Sequence, residues 1–179
     1  IAMLSRGYKR KTSGFVIADS NTTAETIGDE PFQIFTKHED VVVAVDEKRV
    51  HGVTALQQIY PELSVVILDD AFQHRHIKPG FSILLTDYNN LYTLDSHLPG
   101  GNLREIKSGS KRADVIVVTK CPPKVTPIEM RLIEKDIIIK PHQSLFFSCY
   151  VYSEITPVFE NSNALKLTYN DIKKAKHGV

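Results

Sequence analysis

Val65-Val66-Ile67-Leu68-Asp69-Asp70-Ala71-Phe72-Gln73-His74 is a short apolar, β-branched run that ends in two adjacent carboxylates. A run of this length and composition reads as a buried strand, and its closing pair gives it the form of a Walker B strand. In phosphoryl-transfer proteins such a strand ends at the nucleotide, where one Asp holds Mg²⁺ directly or through water and a neighbour orients the metal or the nucleophile. For an arbitrary hydrophobic-Asp-Asp string the better reading is a strand end whose carboxylates face solvent. Two features tip the balance here. Open α/β sheets place their ligands at the carboxyl ends of strands, and Gln73 and His74 follow at once with side chains suited to polar contacts.

Similar apolar runs recur on both sides of this one, separated by polar helical or loop segments, which is the pattern of βαβ units and a mainly parallel sheet. Strands are expected at about residues 2–4, 15–18, 41–45, 65–68, 82–86 and 115–119, and helices at about 30–37, 47–59 and 126–135. Thr126-Pro127 followed by Glu129 supplies an N-cap with Pro at the first helical position, so the last helix has a defined start. From residue 144 the sequence turns extended and aromatic, as in Leu145-Phe146-Phe147-Ser148-Cys149-Tyr150-Val151-Tyr152, then Ile155 and Pro157-Val158-Phe159. Two or three antiparallel or edge strands are expected there, with a turn at Asn161-Ser162-Asn163.

The 179 residues suffice for one domain or slightly more, and the formal net charge of +1 gives no global attraction to nucleic acid or anionic membrane. Hydrophobic residues at 42% and charged ones at 24% are those of an ordinary globular chain. Cys121 and Cys149 stand far apart without C-x-x-C or Cys/His spacing, which argues against a disulfide framework and a zinc site. The first residue is Ile, and neither a signal peptide nor a span of about 20 apolar residues is present. The chain is therefore expected to be a piece of something longer.

Other constellations bear on chemistry. In Gly28-Asp29-Glu30-Pro31, glycine permits a tight turn and proline suits a first helical turn, so Asp29 is expected near a helix N-terminus in a partly positive field. Taken alone it is an N-cap; beside a Walker B strand it becomes a carboxylate able to accept a proton from an attacking hydroxyl. Ser5-Arg6-Gly7-Tyr8-Lys9-Arg10-Lys11 follows the first strand, and its cations are expected to project from the same sheet edge as Asp69, where they could clamp phosphates. A solvated basic loop is the plainer reading, and one basic patch on a neutral chain does not make a nucleic-acid site. Leu98-Pro99-Gly100-Gly101-Asn102-Leu103-Arg104-Glu105 is a glycine-containing loop whose spacing is not that of a P-loop. Asp69, Asp70, His74 and His76 could also form a hydrolase metal cluster, but no second carboxylate-His pair completes it.

In order along the chain, Ser5-Arg6-Gly7-Tyr8, Gly28-Asp29-Glu30-Pro31, Asp69-Asp70-Ala71-Phe72-Gln73-His74, the loop 98–105 and Arg112-Ala113-Asp114 resemble the tetraacyldisaccharide 4′-kinase family, the lipid A 4′-kinases of Gram-negative bacteria. The resemblance implies a P-loop-NTPase-like α/β fold, a mainly parallel sheet flanked by helices. It also implies a kinase using ATP and Mg²⁺ on the 4′-hydroxyl of the tetraacyldisaccharide 1-phosphate lipid A precursor, at the cytoplasmic face of the inner membrane. By motif, Asp29 takes the catalytic-base position with Glu30 in support, Asp69 and Asp70 hold the metal, and Gln73, His74, Arg49 and Glu105 face the nucleotide and its phosphates. Arg6 and Tyr8 form the basic loop on the substrate side.

Lys9 and Ala71 stand where the family has Gly, and Leu98-Pro99-Gly100-Gly101 replaces Leu-Pro-Ala-Gly. More seriously, G-x-x-x-x-G-K-[ST] occurs nowhere in the chain. The resemblance thus implies a central portion of the enzyme: a partial P-loop-kinase-like α/β domain over residues 1–143, a β linker over 144–160, and the start of a second lobe or a tail over 161–179. The membrane-contacting N-terminal segment, the P-loop and a further lobe would lie outside it, and the piece by itself would be inactive. A non-catalytic nucleotide-binding or interaction module that lacks a P-loop is the alternative.

Overall fold

The computed structural model describes residues 1–152; the strands expected at residue 155 and at 157–159, and the turn at 161–163, lie outside the described residues. The chain divides into two compact units, Ile1–Leu84 with His97–Asp114, and Leu85–Ser96 with the chain from Val115 onward.

The first unit is built on a four-stranded sheet of β1 (Ala2–Ser5), β2 (Val16–Ile17), β3 (Val42–Val45) and β4 (Val66–Leu68), in the order β2-β3-β1-β4. β1 runs parallel to both neighbours, with Leu4 opposite Ala44 and Leu68, while β2 is antiparallel to β3. All of β1 is buried, as a central strand covered on both faces must be. The period-two alternation divides its side chains. Ala2 and Leu4 join Ala44 and Leu56 of α3 (Arg49–Ile59) on one face, whereas Met3 joins Val43, Val45 and Ile27 on the other. Phe32 and Phe35 of α2 (Asp29–Lys37) close the second face. A short helix α1 (Ala24–Ile27), too brief to leave a periodic signal, precedes α2.

The run 65–68 forms the expected strand, but Ile67 is 53% exposed. β4 is the last strand of its sheet, paired on one side only, and burial of a strand depends on what flanks it as much as on its composition.

The second sheet has three strands, β5 (Ile83–Asp87), β6 (Val115–Cys121) and β7 (Ser144–Cys149), in that order. β7 is an edge strand as expected, yet it pairs parallel to β6, with Val115 opposite Ser144. The reason is α4 (Pro127–Ile137), which makes β6-α4-β7 a crossover and returns the chain in the same direction. α4 starts where its sequence says. The Thr126 N–H donates to Glu129 Oε2 at 2.7 Å while Thr126 Oγ1 accepts from the Glu129 N–H at 3.3 Å, a complete capping box.

Candidate active site

Because β1, β3 and β4 are parallel and in register, their carboxyl ends emerge along one edge of the first unit. The Asp46 N–H donates to the Ser5 carbonyl at 3.0 Å and the Asp69 N–H to the Leu4 carbonyl at 3.1 Å, so two strand-ending aspartates flank the exit of β1. Asp69 is half-buried; Asp70 is exposed, with φ of 43°, a left-handed conformation that aspartate tolerates better than most residues. Asp70 Oδ2 accepts from Arg104 Nη1 at 3.2 Å. Two adjacent hard carboxylates are the donor set suited to an ion that keeps waters and shares phosphate oxygens, which is the habit of Mg²⁺.

Beneath this edge lies Arg49, at the start of α3 and only 4% exposed. Its Nη1 donates to the Asp46 carbonyl at 2.5 Å and its Nη2 reaches the Asp69 carbonyl at 3.4 Å, while Nε has no partner among the described residues. One guanidinium thereby bridges the ends of β3 and β4 across β1. Burial and the neighbouring Arg6 lower its pKa, and Asp69, Asp70 and Asp46 oppose that shift. Asp46 was not foreseen, although Val43-Ala44-Val45-Asp46 ends an apolar strand in a carboxylate just as 65–70 does. Its buried side chain accepts from the Lys48 N–H at 2.8 Å and meets His51 Nδ1 at 2.6 Å.

His74, half-buried, is pushed below the ordinary histidine value first by burial and then by Arg49, His76 and Arg6. The shift favours the neutral imidazole. Gln73 beside it is exposed.

The basic loop after β1 departs from expectation in one respect: not all its cations point outward. Arg6 and Tyr8 are exposed, but the Arg10 side chain is 2% exposed and turned inward, with Nη2 donating to Gly14 O and Glu47 Oε1, both at 2.5 Å. Lys11 pairs with Glu25 at 2.7 Å. The loop bends at Gly7, φ 68°, where a Cβ would stand 2.9 Å from the Ile27 carbonyl. Lys9 follows at φ 60°, a left-handed conformation that is cheapest without a Cβ. Folding back in this way seats the loop on the junction of α1 and α2. A Cβ at Gly28 would lie 3.0 Å from the Tyr8 carbonyl, and the Lys11 N–H donates to the Glu25 carbonyl at 2.7 Å. Asp29 and Glu30, both exposed in the first turn of α2, thus stand beside the loop that leaves β1. Gly28, at φ 95°, is the N-cap, so Asp29 is not.

The loop 98–105 comes to the same edge. Besides the Arg104–Asp70 pair, Glu105 meets Arg112, whose Nη2 also donates to the Phe72 carbonyl at 2.9 Å. Asp70, Phe72 and Glu105 are in this way tied together by two arginines, Arg104 and Arg112, and the part played by Arg112 carried no signal in the sequence beyond its place in a motif.

The family model described as tetraacyldisaccharide-1-P 4′-kinase matches residues 1–154. The chain belongs to that family. A tetraacyldisaccharide 4′-kinase of Bacteroides thetaiotaomicron is 48% identical over 174 residues, covering 96% of this chain and 46% of the relative. One from Parabacteroides distasonis is 52% identical over 162 residues, covering 89% of this chain and 44% of the relative. The chain spans about half the length of these curated kinases. Among solved structures, an "apo" form LpxK from Aquifex aeolicus in complex with ATP is similar with a TM-score of 0.57 at 28% identity, over 89% of this chain and 65% of that one. The mixed α/β architecture with parallel strands agrees with the kinase-type fold that the motifs imply. No helix among the described residues is long and apolar enough to cross a membrane.

Proposed function

We propose that this chain forms the metal-binding and acceptor-activating part of a kinase that transfers the γ-phosphoryl group of ATP to the 4′-hydroxyl of tetraacyldisaccharide 1-phosphate, working at the cytoplasmic face of the inner membrane. The observation that carries the reading is the convergence, on one carboxyl edge of a parallel sheet, of Asp69 and Asp70, the Arg6–Tyr8 loop and the α2 N-terminus that bears Asp29. Family membership supplies the substrates.

Asp69 and Asp70 would hold Mg²⁺, which when bound offsets the charge of the β- and γ-phosphates. The other roles fall to side chains of the chain itself. Asp29 orients the acceptor hydroxyl and takes its proton as the oxygen attacks, with Glu30 supporting it in the same helical turn. Arg6 and Tyr8 present a cation and a phenol to the phosphates of donor and acceptor. Arg49 acts from below, holding the Asp69 carbonyl and adding positive potential under the phosphates. Gln73, His74 and Glu105 line the nucleotide side. Catalysis of this kind is positioning and electrostatic stabilisation more than covalent chemistry.

The test is label transfer from γ-labelled ATP to tetraacyldisaccharide 1-phosphate by the full-length protein and its Asp69→Asn and Asp70→Asn variants, with Mg²⁺ titrated. Weaker Mg²⁺ dependence and slower turnover with unchanged melting support the reading. Wild-type Mg²⁺ dependence and turnover in both variants would refute it.

A further inference from the structure

An ion pair at the surface contributes little by itself, and Glu105–Arg112 would merit no comment if it were only that. Four features set it apart. The contact is a two-pronged fork, Nη1 to Oε1 at 2.6 Å and Nη2 to Oε2 at 2.9 Å. The same guanidinium lies over the Phe72 ring, 4.7 Å from its centroid, and donates to the Phe72 carbonyl at 2.9 Å. The pair is seated against the buried Gly109, where a Cβ would fall 2.5 Å from Glu105 Oε1 and 3.1 Å from Arg112 Nη1. Finally, the backbone that carries Arg112 is anchored just beyond it: Ala113 is fully buried, and Asp114 Oδ2 accepts from the Ser82 N–H at 2.7 Å.

We propose that Arg112 is a positioning residue for nucleotide binding, locking Phe72 by ring and carbonyl and Glu105 by its carboxylate, so that Asp69-Asp70 on one side of Phe72 and Gln73-His74 on the other are preset for the triphosphate. The inference rests on the kinase reading above. Stacking together with bidentate donation is what a guanidinium does and an ammonium does not. Preorganisation of this sort shows in affinity, because a loop already in its bound conformation loses less freedom when the ligand arrives. The Arg112 hydrogen bonds also lower the Glu105 pKa from its ordinary value. The carboxylate stays paired, and its charge is neutralised beside the triphosphate it would otherwise repel.

The experiment uses the full-length protein and two variants, Arg112→Lys, which keeps the charge, and Gly109→Ala, which displaces the fork without touching either partner chemically. Binding of a non-hydrolysable ATP analogue with Mg²⁺ is titrated, and thermal unfolding is followed on the same samples. The expected result is a Kd raised about tenfold in both variants while they remain folded at the assay temperature. A Kd within twofold of wild type in a folded variant overturns the proposal. So does failure of both variants to fold, which would make the fork a requirement of the fold. Wild-type protein that does not bind the analogue removes the kinase reading itself, and this inference with it.

Discussion

Arg49→Met separates a strand clamp from a direct phosphate contact. Methionine keeps much of the apolar stem of the buried arginine and deletes the guanidinium. The loss is one good charge-assisted hydrogen bond, to the Asp46 carbonyl at 2.5 Å, and one weak one, to the Asp69 carbonyl at 3.4 Å. Hydrogen bonds to charged groups contribute about 1.5–3 kcal/mol, so the first dominates. Against it stands the relief of a buried cation whose Nε has no partner among the described residues, where leaving such a donor unmet costs about 1–3 kcal/mol. Asp46, 1% exposed, loses a nearby countercharge but keeps His51 and the Lys48 N–H. The two ranges overlap, so the net destabilisation is at most about 2 kcal/mol. With the Asp69 carbonyl released, turnover should fall while affinity for an ATP analogue changes by less than about tenfold, the effect of about 1.4 kcal/mol. Urea unfolding and analogue titration of the full-length variant decide. Unchanged stability together with an affinity loss of about a hundredfold, near 2.7 kcal/mol, would show that Arg49 touches phosphate and that the clamp is misread.

Asp29→Ala in the full-length protein should lower kcat by about 10²–10⁴-fold with little change in the ATP KM; a kcat within about threefold of wild type with a sharply raised KM would make Asp29 a binding residue. Gly52→Ala should destabilise although alanine is the better helix former by about 1 kcal/mol. Its Cβ would lie 2.8 Å from Leu4 Cδ2 and 3.0 Å from Asp46 Cβ in a closed core, where overpacking costs about 1–3 kcal/mol; a raised melting temperature would refute this account of why α3 carries a glycine. Glu105 has a depressed folded-state pKa, chiefly through its Arg112 hydrogen bonds. Its contribution to stability is therefore present above the ordinary glutamate value, about 4.3, and is lost as pH falls below that toward the folded value. Urea unfolding between neutral and acid pH should fall less steeply in Glu105→Gln than in wild type, and parallel curves would exclude the effect.

Strand and helix placement was largely local information. Short apolar runs, a proline after Thr126 and a glycine before Asp29 each act within one turn or one strand, so residues 2–5, 29–37, 42–45, 66–68 and 127–137 take the structures their sequence favours. The family was legible for the same reason, since its motifs are short and ordered along the chain. What lay beyond the sequence depends on partners distant in the chain. Identical apolar character leaves β1 fully buried and β4 half-exposed, because one is central and the other at an edge. β7 runs parallel because α4 carries the chain back, a fact of topology absent from its aromatic residues. Among the cations after β1, Arg10 turns inward because Glu47, 37 residues away, meets it there. Side-chain types and short motifs, read along the chain, nominate Asp29, Asp69 and Asp70 as candidates for phosphoryl-transfer chemistry. Their shared sheet edge, the burial of Arg49 beneath it and the pairing of Glu105 with Arg112 come from the folded arrangement, because charge and hydrogen bonding act through space between segments the chain keeps apart.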